Sequence, residues 1–307
     1  MRIAVIDAGG VGGYFGARLA LAGNDVTFVA RGRHLEAIRR EGLLVASDVT
    51  PMRVTGARAT GDLGAIGEVD VVLLCVKLWD IEAAAQSLRP HLRKHSVVIP
   101  FQNGIDAPSI VSGAIGVQHV LGGIAYIAAS IESPGVIRHV GTMARMRVGA
   151  FDGVRADAAQ AFVTVATAAG IEISLASDIR TALWEKFVFL SALSGATCLT
   201  RQPLGVIRSH PQLRSTFEAI LRETWSVGRA QGAALADDFV GRQLAMSDTL
   251  PYEMRASMLH DLTAGNRLEA PWLCGAIVRL GREAAIPTPV NDTIYTALLP
   301  YVDGARK

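Results

Sequence analysis

The chain opens on a pattern of buried and turning positions. Ile3-Ala4-Val5-Ile6 is a continuous apolar run, as expected of a strand covered on both faces of a parallel sheet. The turn Asp7-Ala8-Gly9-Gly10-Val11-Gly12-Gly13 follows. Over residues 11–22 apolar positions recur at helical spacing, and Gly23-Asn24 ends that helix. Residues 25–30 predict a second strand, residues 69–76 another buried strand, and residues 79–88 a helix after it. A shorter strand over 96–100 runs into Gln102-Asn103-Gly104. This alternation predicts an α/β fold whose N-terminal domain is doubly wound and Rossmann-type. Residues 117–129 and 136–148 predict two longer strands around Glu132-Ser133-Pro134-Gly135, expected to extend the same sheet as an antiparallel hairpin.

Beyond about residue 173 the strand-like runs stop. Helical periodicity takes over at 181–198, 211–231, 237–248 and 270–285. The expected division is a doubly wound domain over 1–175 and an all-helical domain over 176–307, with Ser177-Asp178 placed to cap its first helix. No internal repeat, low-complexity stretch or long linker interrupts the chain, so two closely packed domains with a cleft between them are expected.

Composition narrows the class without adding chemistry. Half of the 307 residues are hydrophobic and 19% are charged, which is a globular balance. A net charge of +2 gives no reason to expect a nucleic-acid partner. Cys75, Cys198 and Cys274 are scattered, with neither metal-ligand spacing nor a paired framework. No metal is expected, and a reducing, cytoplasmic compartment is. The apolar stretch 187–193 is far shorter than the ~20 residues of a membrane span, so no membrane partner is expected.

A glycine-rich turn between a first strand and its helix suits a diphosphate. Glycine lets the backbone come close, and the helix N-terminus offers free N–H groups with partial positive charge. Gly9 and Gly12 fall on the second and third glycines of G-x-G-x-x-G, whereas Asp7 stands at the first. A simpler reading is a turn that packs a helix on a sheet. If the Asp7 carboxylate lay ~5 Å from a phosphate charge at an effective dielectric of ~20, repulsion would be about 3 kcal/mol. The sequence leaves three arrangements open: a side chain pointing away, one held by hydrogen bonds, or one that is protonated. The second strand ends Phe28-Val29-Ala30-Arg31-Gly32-Arg33, with no acid to receive the ribose hydroxyls of NAD. Arg31, helped by Arg33, can make forked contacts with the 2′-phosphate of NADP; the plain alternative is a pair of surface arginines.

Taken in order along the chain, these residues resemble the ketopantoate reductase (2-dehydropantoate 2-reductase) family over nearly its whole length. The resemblance is carried by the Gly9 to Gly13 turn, Arg31, Val76-Lys77, Asn103-Gly104, Trp184-Glu185-Lys186, Ser257-Met258-Leu259-His260-Asp261 and Gly265-Asn266-Arg267-Leu268-Glu269. It implies reduction of a small-molecule 2-oxo acid to a 2-hydroxy acid by hydride from NADPH, and a homodimer at the family level. It makes the domain over 1–175 the dinucleotide-binding one, the domain over 176–307 the substrate and catalytic one, and Lys186 the general acid. Lys186 is the only lysine after residue 175 before Lys307, and it stands in an apolar helical run where burial lowers an amine's pKa; a lysine snorkelling to the surface is the bland alternative. The resemblance further implies that Lys186, Ser257 and Asn103 bind substrate, with a helix N-cap as the plainer role of Ser257. The implied cofactor contacts are Ala8, Gly9, Gly10, Val11, Gly12, Arg31, Lys77, Asn103, Ala128 and Glu269.

Three positions depart from the family. Its asparagines four and eight residues after the lysine, and a third further on, correspond to Leu190, Ser194 and Leu204. Losing polar partners for a substrate hydroxyl favours a more apolar substrate. Three functions follow: ketopantoate reduction, a D-2-hydroxyacid dehydrogenase acting on a branched or aryl 2-oxo acid, and an NADP(H)-sensing protein without turnover. A sensor has no need of a proton donor, so retention of Lys186 argues for an enzyme.

Overall fold

The computed structural model describes residues 1–305. By internal contacts these form two compact units. One holds Met1–Gln102 and Ala107–Ile179; the other holds Asn103–Asp106 and the chain from Arg180 onward.

The first unit begins β1 (Arg2–Ile6), α1 (Gly10–Leu21), β2 (Asp25–Val29), α2 (Gly32–Glu41), β3 (Leu43–Ser47), β4 (Met52–Val54) and β5 (Arg58–Thr60). It continues with β6 (Val69–Leu74), α3 (Ile81–Leu88), β7 (Leu92–Pro100), α4 (Ala107–Ile115), β8 (Gly122–Ser133), β9 (Val136–Gly149), α5 (Ala156–Ala168) and β10 (Glu172–Leu175). One sheet is wholly parallel, in the order β5-β2-β1-β6-β7. The chain leaves β1 to one side for β2 and later to the other for β6. The C-terminal ends of β1 and β6 therefore flank the switch point at which open α/β sheets bind ligands.

A second sheet runs β10-β9-β3-β4, with β8 on the other side of β9. The hairpin β8–β9 is antiparallel, as its alternation predicts, but it joins this separate sheet and does not extend the first. The reason is long-range: residues 136–139 of β9 pair in parallel with β3, and residues 145–148 with β10. The predicted strand start at residue 117 is a short 3-10 turn, Val117–His119.

Helix α1 packs against both sheets, and its glycines make this possible. A Cβ on Gly10 would lie 2.1 Å from the Ala129 carbonyl oxygen of β8, and one on Gly12 would lie 2.2 Å from the Asp7 carbonyl oxygen. The glycine run thus serves close packing as well as any ligand.

In the second unit follow α6 (Ile179–Thr200), α7 (Leu204–Ser209), α8 (Pro211–Ala230), α9 (Phe239–Thr249), α10 (Ser257–Ala264), α11 (Cys274–Glu283) and α12 (Pro289–Leu298). Helix α6 is long and apolar enough to pass a membrane-span test, yet 72% of its most apolar window is buried. Trp184, Phe187, Val188, Ala192 and Ala196 carry it through the core, making it the central helix of the unit. The single helix expected over 270–285 is broken into a 3-10 turn, Ala270–Trp272, and α11. Leu273, at φ −104° and ψ −100°, is the non-helical residue between them.

Gly10→Ala is expected to destabilise the first unit by about 1–3 kcal/mol, because the added methyl overpacks against backbone that has no rotamer to yield. The check is a urea melt, where the midpoint should fall with little change in slope.

Candidate active site

In the first unit the C-terminal ends of β1, β2 and β6 open into a cavity of about 390 Å³. Its lining includes Asp7, Ala30, Arg31, His34, Lys77 and Asp80. Two cations and two acids face this space. The Arg31 side chain is 79% exposed, and its guanidinium stands 3.8 Å from the Asp80 carboxylate. Lys77 is exposed just beyond β6, with its ammonium over the Trp79 ring. Arg33 does not line the cavity.

The turn into α1 is built for close approach. Gly9 is the N-cap residue and supplies no side-chain cap, so the first N–H groups of α1 are left for an outside acceptor. The Ala8 amide, by contrast, is spent on the Val29 carbonyl at 2.9 Å, and Ala8 is fully buried. Ala128 is exposed at a register shift of β8, next to the Ala129 carbonyl that abuts Gly10. A bare helix N-terminus, a basic side chain at the end of β2 and a switch-point cavity together fit a phosphorylated dinucleotide.

Asp7 answers the question its sequence position raised. Its φ is 75°, the left-handed turn that the first glycine of the motif would otherwise adopt. Aspartate is one of the few side chains to visit this region readily. Asp7 lines the cavity, and one of its carboxylate oxygens lies 3.4 Å from where a Gly9 Cβ would stand. Burial pushes its pKa above the usual carboxylate range, opposed by His34, Arg31 and Lys77 and reinforced by Asp80.

His34 and Asp80 carry no signal in the sequence that marks them. His34 Nε2 lies 2.9 Å from the Ala8 carbonyl oxygen, and its Nδ1 accepts from the Gly135 amide at 3.0 Å. An amide donor at Nδ1 leaves the ring proton on Nε2. The imidazole thereby ties the glycine turn to the tip of the β8–β9 hairpin. Gln102, at the end of β7, donates from Nε2 to the Leu74 and Val76 carbonyls, both at 2.9 Å, and so holds the backbone leading to Lys77.

The second unit holds the lysine. From the first turns of α6, Lys186 donates from Nζ to Asn103 Oδ1 at 3.0 Å. Asn103 reaches it because its segment is anchored to this unit. Arg279 of α11 grips the Asp106 carboxylate at 2.7 Å, and Gly104, at φ 95°, passes so close to the Trp272 carbonyl that a Cβ would lie 3.0 Å from its oxygen. Burial lowers the Lys186 pKa from 10.5 to about 8, while the Glu269 carboxylate acts the other way. Glu269 is itself 6% exposed. The structure therefore gathers Lys186, Asn103 and Glu269 into one cluster.

Ser257 is the first residue of α10, exposed, and not its cap. The N-cap position is Ala256, and no side-chain cap bond is made, so the N-cap role is corrected. Leu204 is 0% and Ser194 1% exposed, both sealed in the helical core. Leu190, one turn beyond Lys186, is partly exposed. Of the three departures from the family asparagines, it alone presents apolar surface beside the lysine.

These parts define a class: an α/β dinucleotide-binding oxidoreductase with a half-buried, acid-competent lysine in a helical unit. The family models described as ketopantoate reductase PanE/ApbA and ketopantoate reductase PanE/ApbA C terminal match residues 3–153 and 178–301. The chain belongs to the ketopantoate reductase family and is an oxidoreductase whose cofactor is NADPH. It is 30% identical over 301 residues to a 2-dehydropantoate 2-reductase of Halobacterium salinarum, covering 96% of each chain. It is 29% identical, also over 301 residues, to an uncharacterized oxidoreductase of Bacillus subtilis, YkpB, covering 98% of this chain and 99% of that one. A PanE/ApbA family ketopantoate reductase from Ralstonia eutropha superposes with a TM-score of 0.89 at 29% identity, covering 98% of each. A D-mandelate dehydrogenase, solved with NADH and anilino(oxo)acetate, shares the fold with a TM-score of 0.88 at 18% identity, covering 98% of each.

Glu269→Gln is expected to lower the Lys186 pKa further, because it removes the carboxylate that favours the ammonium. Titration of the lysine side-chain resonance by NMR reads this directly. A rise in pKa would mean that Glu269 is not acting through its charge.

Proposed function

We propose that the protein reduces a 2-oxo acid to the 2-hydroxy acid, with ketopantoate as the first substrate to test. The observation that carries this reading is the Lys186 ammonium, held at 3.0 Å by Asn103 and brought by burial to a pKa of about 8. When bound, NADPH supplies the hydride. As the substrate's C2 carbonyl carbon gains it, negative charge grows on the carbonyl oxygen. Lys186 stabilises that charge and gives its proton to the oxygen, leaving a hydroxyl and a neutral amine that solvent reprotonates. Asn103 accepts one ammonium hydrogen and so aims the others. Glu269 keeps enough positive character on the amine for it to act as an acid. The exposed Ser257 hydroxyl is assigned to the substrate carboxylate.

In the first unit Gly9, Gly10, Val11 and Gly12 receive the diphosphate through the N-terminus of α1. Arg31 takes the 2′-phosphate, exchanging its contact with Asp80 for a doubly charged partner. Lys77 and Ala128 belong to the same cofactor site, and Ala8 contributes by shaping the turn, its own amide and carbonyl being taken by Val29 and His34. Location in the cytoplasm and a homodimer belong to this reading as well.

A second reading concerns the substrate alone. Leu190 is one turn from Lys186 and partly exposed, so the surface beside the acid is apolar where the family has an asparagine. A branched or aryl 2-oxo acid without the hydroxyl would suit it better than ketopantoate. NADPH oxidation against a panel of 2-oxo acids decides between the two: the higher kcat/KM names the substrate class, and no turnover on any member sinks both.

Two variants test the assignments. Lys186→Ala should lower kcat by on the order of a hundredfold or more on the best substrate, with little change in NADPH affinity. In the unmodified enzyme kcat should be sustained below pH 8 and fall as the pH rises through about 8, where the ammonium is lost. Near-normal turnover in Lys186→Ala would remove the lysine from the chemistry. Arg31→Ala should raise KM for NADPH much more than for NADH. Equal effects on both cofactors would take Arg31 off the 2′-phosphate.

A further inference from the structure

Asp7 is a carboxylate at the mouth of a site read as taking a dianionic diphosphate. Its backbone at φ 75° fixes the start of the turn, it lines the cavity, and one carboxylate oxygen lies 3.4 Å from where a Cβ on Gly9 would stand. The carboxylate is therefore beside the N-cap residue of α1, the helix whose first N–H groups are read as the donors to the diphosphate. It cannot be discounted as a group already neutralised by a tight partner. Among the described residues no group donates a hydrogen bond to it, and its charged neighbours act only through space.

After β2 comes Arg31, which is already engaged with Asp80. From α2 comes His34, whose two ring nitrogens are committed to Gly135 and Ala8. Beyond β6 stand Lys77 and Asp80, with the Cys75 thiol beneath, its own pKa raised by burial and by Asp7. Helix α1 brings no charge in its first turn. From β8 the cavity receives Ile131, and from α3 two alanines and Ser87. Formal charges in the cavity cancel: Arg31 and Lys77 against Asp7 and Asp80. A bound diphosphate would tip the balance to strongly negative unless one acid gave way. Asp80, with its side chain 43% exposed, keeps its charge solvated at the rim once Arg31 turns to the 2′-phosphate. Asp7 lies closest to the helix N-terminus, it is the less solvated of the two, and its charged form is already disfavoured.

We propose that Asp7 enters the cofactor site as an uncharged carboxylic acid that donates a hydrogen bond to the diphosphate, so that binding of NADPH draws a proton from solvent. This rests on the reading of the α1 turn as the diphosphate site. The balance is simple: solvent gives one proton to an Asp7 oxygen, and the resulting O–H turns a repelling oxygen into a donor. A protonated acid held in a site to donate a hydrogen bond is established chemistry. The consequence is a cofactor affinity linked to pH. Where Asp7 is ionised in the free protein, NADPH affinity falls with rising pH, at the limit by about tenfold per unit.

The test is calorimetric titration of NADPH into the intact protein between pH 7 and 9, in buffers of different ionisation enthalpy. This range lies above the second ionisation of the 2′-phosphate, near ~6. The unmodified protein is compared with Asp7→Asn and Asp7→Gly, both of which tolerate the left-handed backbone. The contribution of Lys186, which is not among the charged neighbours of Asp7, is common to all three and cancels in the comparison. The expected result is that the unmodified protein takes up more protons per NADPH, by up to one, and loses affinity more steeply with pH, while both variants bind more tightly above pH 8. Tight binding with equal proton uptake in all three overturns the proposal and leaves the diphosphate site standing. Weaker binding in Asp7→Asn with no change in proton count also overturns it, by making the carboxylate an acceptor. Failure of all three to bind NADPH removes the site itself and the proposal with it.

Discussion

The chemistry of the helical unit depends on the cost of taking the Lys186 ammonium out of water. A charge there is tolerated only with oxygen partners, and the unit supplies Asn103 at 3.0 Å and the buried acid Glu269. Satisfying the first partner requires a segment remote in sequence to be pinned in place. That explains why Arg279 and Asp106 form a short ion pair, and why position 104 is a glycine in the left-handed region. The same desolvation makes the amine a proton donor in a useful range of pH. Stability and acidity here arise from one compromise: a lysine buried enough to be weakened as a base, and paired enough to remain a cation.

The nucleotide unit solves a related problem with backbone. Glycines let α1 approach two sheets at once, and the same absence of side chains exposes the helix N-terminus. Packing and anion binding are therefore not rival explanations of the glycine run. Asp7 shows where they separate. Its backbone meets the turn's need for positive φ, while its side chain brings a charge that packing never required.

Much of this architecture is legible in the sequence, for reasons that also set the limits. The first strand, helix and second strand are local patterns, and their observed bounds differ from the expected ones by a residue or so. The partner of β9 is not local. Alternation over 136–148 predicts a strand but says nothing of β3, some ninety residues earlier, so the hairpin was expected in the wrong sheet. The break at Leu273 is likewise hidden, because an apolar helical pattern runs across it. Lys186 and Asn103 are recognisable through family resemblance, whereas their contact spans 83 positions and emerges only in three dimensions. Leu204 matched a family asparagine by order along the chain, yet it is sealed in the core, which the alignment of letters could not reveal. His34 and Asp80 are ordinary polar residues in sequence and acquire meaning only from what faces them.

The His34 imidazole has a further consequence for how this fold can vary. Hairpin tips are usually where chains accept insertions and deletions, since they are exposed and their backbone bonds are few. Here the Gly135 amide at the tip is tethered to Nδ1 of His34, and through Nε2 to the turn of the first strand. Lengthening or shortening the β8–β9 connection by even one residue would break that strut and leave the glycine turn without its brace. A segment that looks like the most expendable loop of the first unit is thereby a fixed-length part, and variation in size must be taken up elsewhere on its surface.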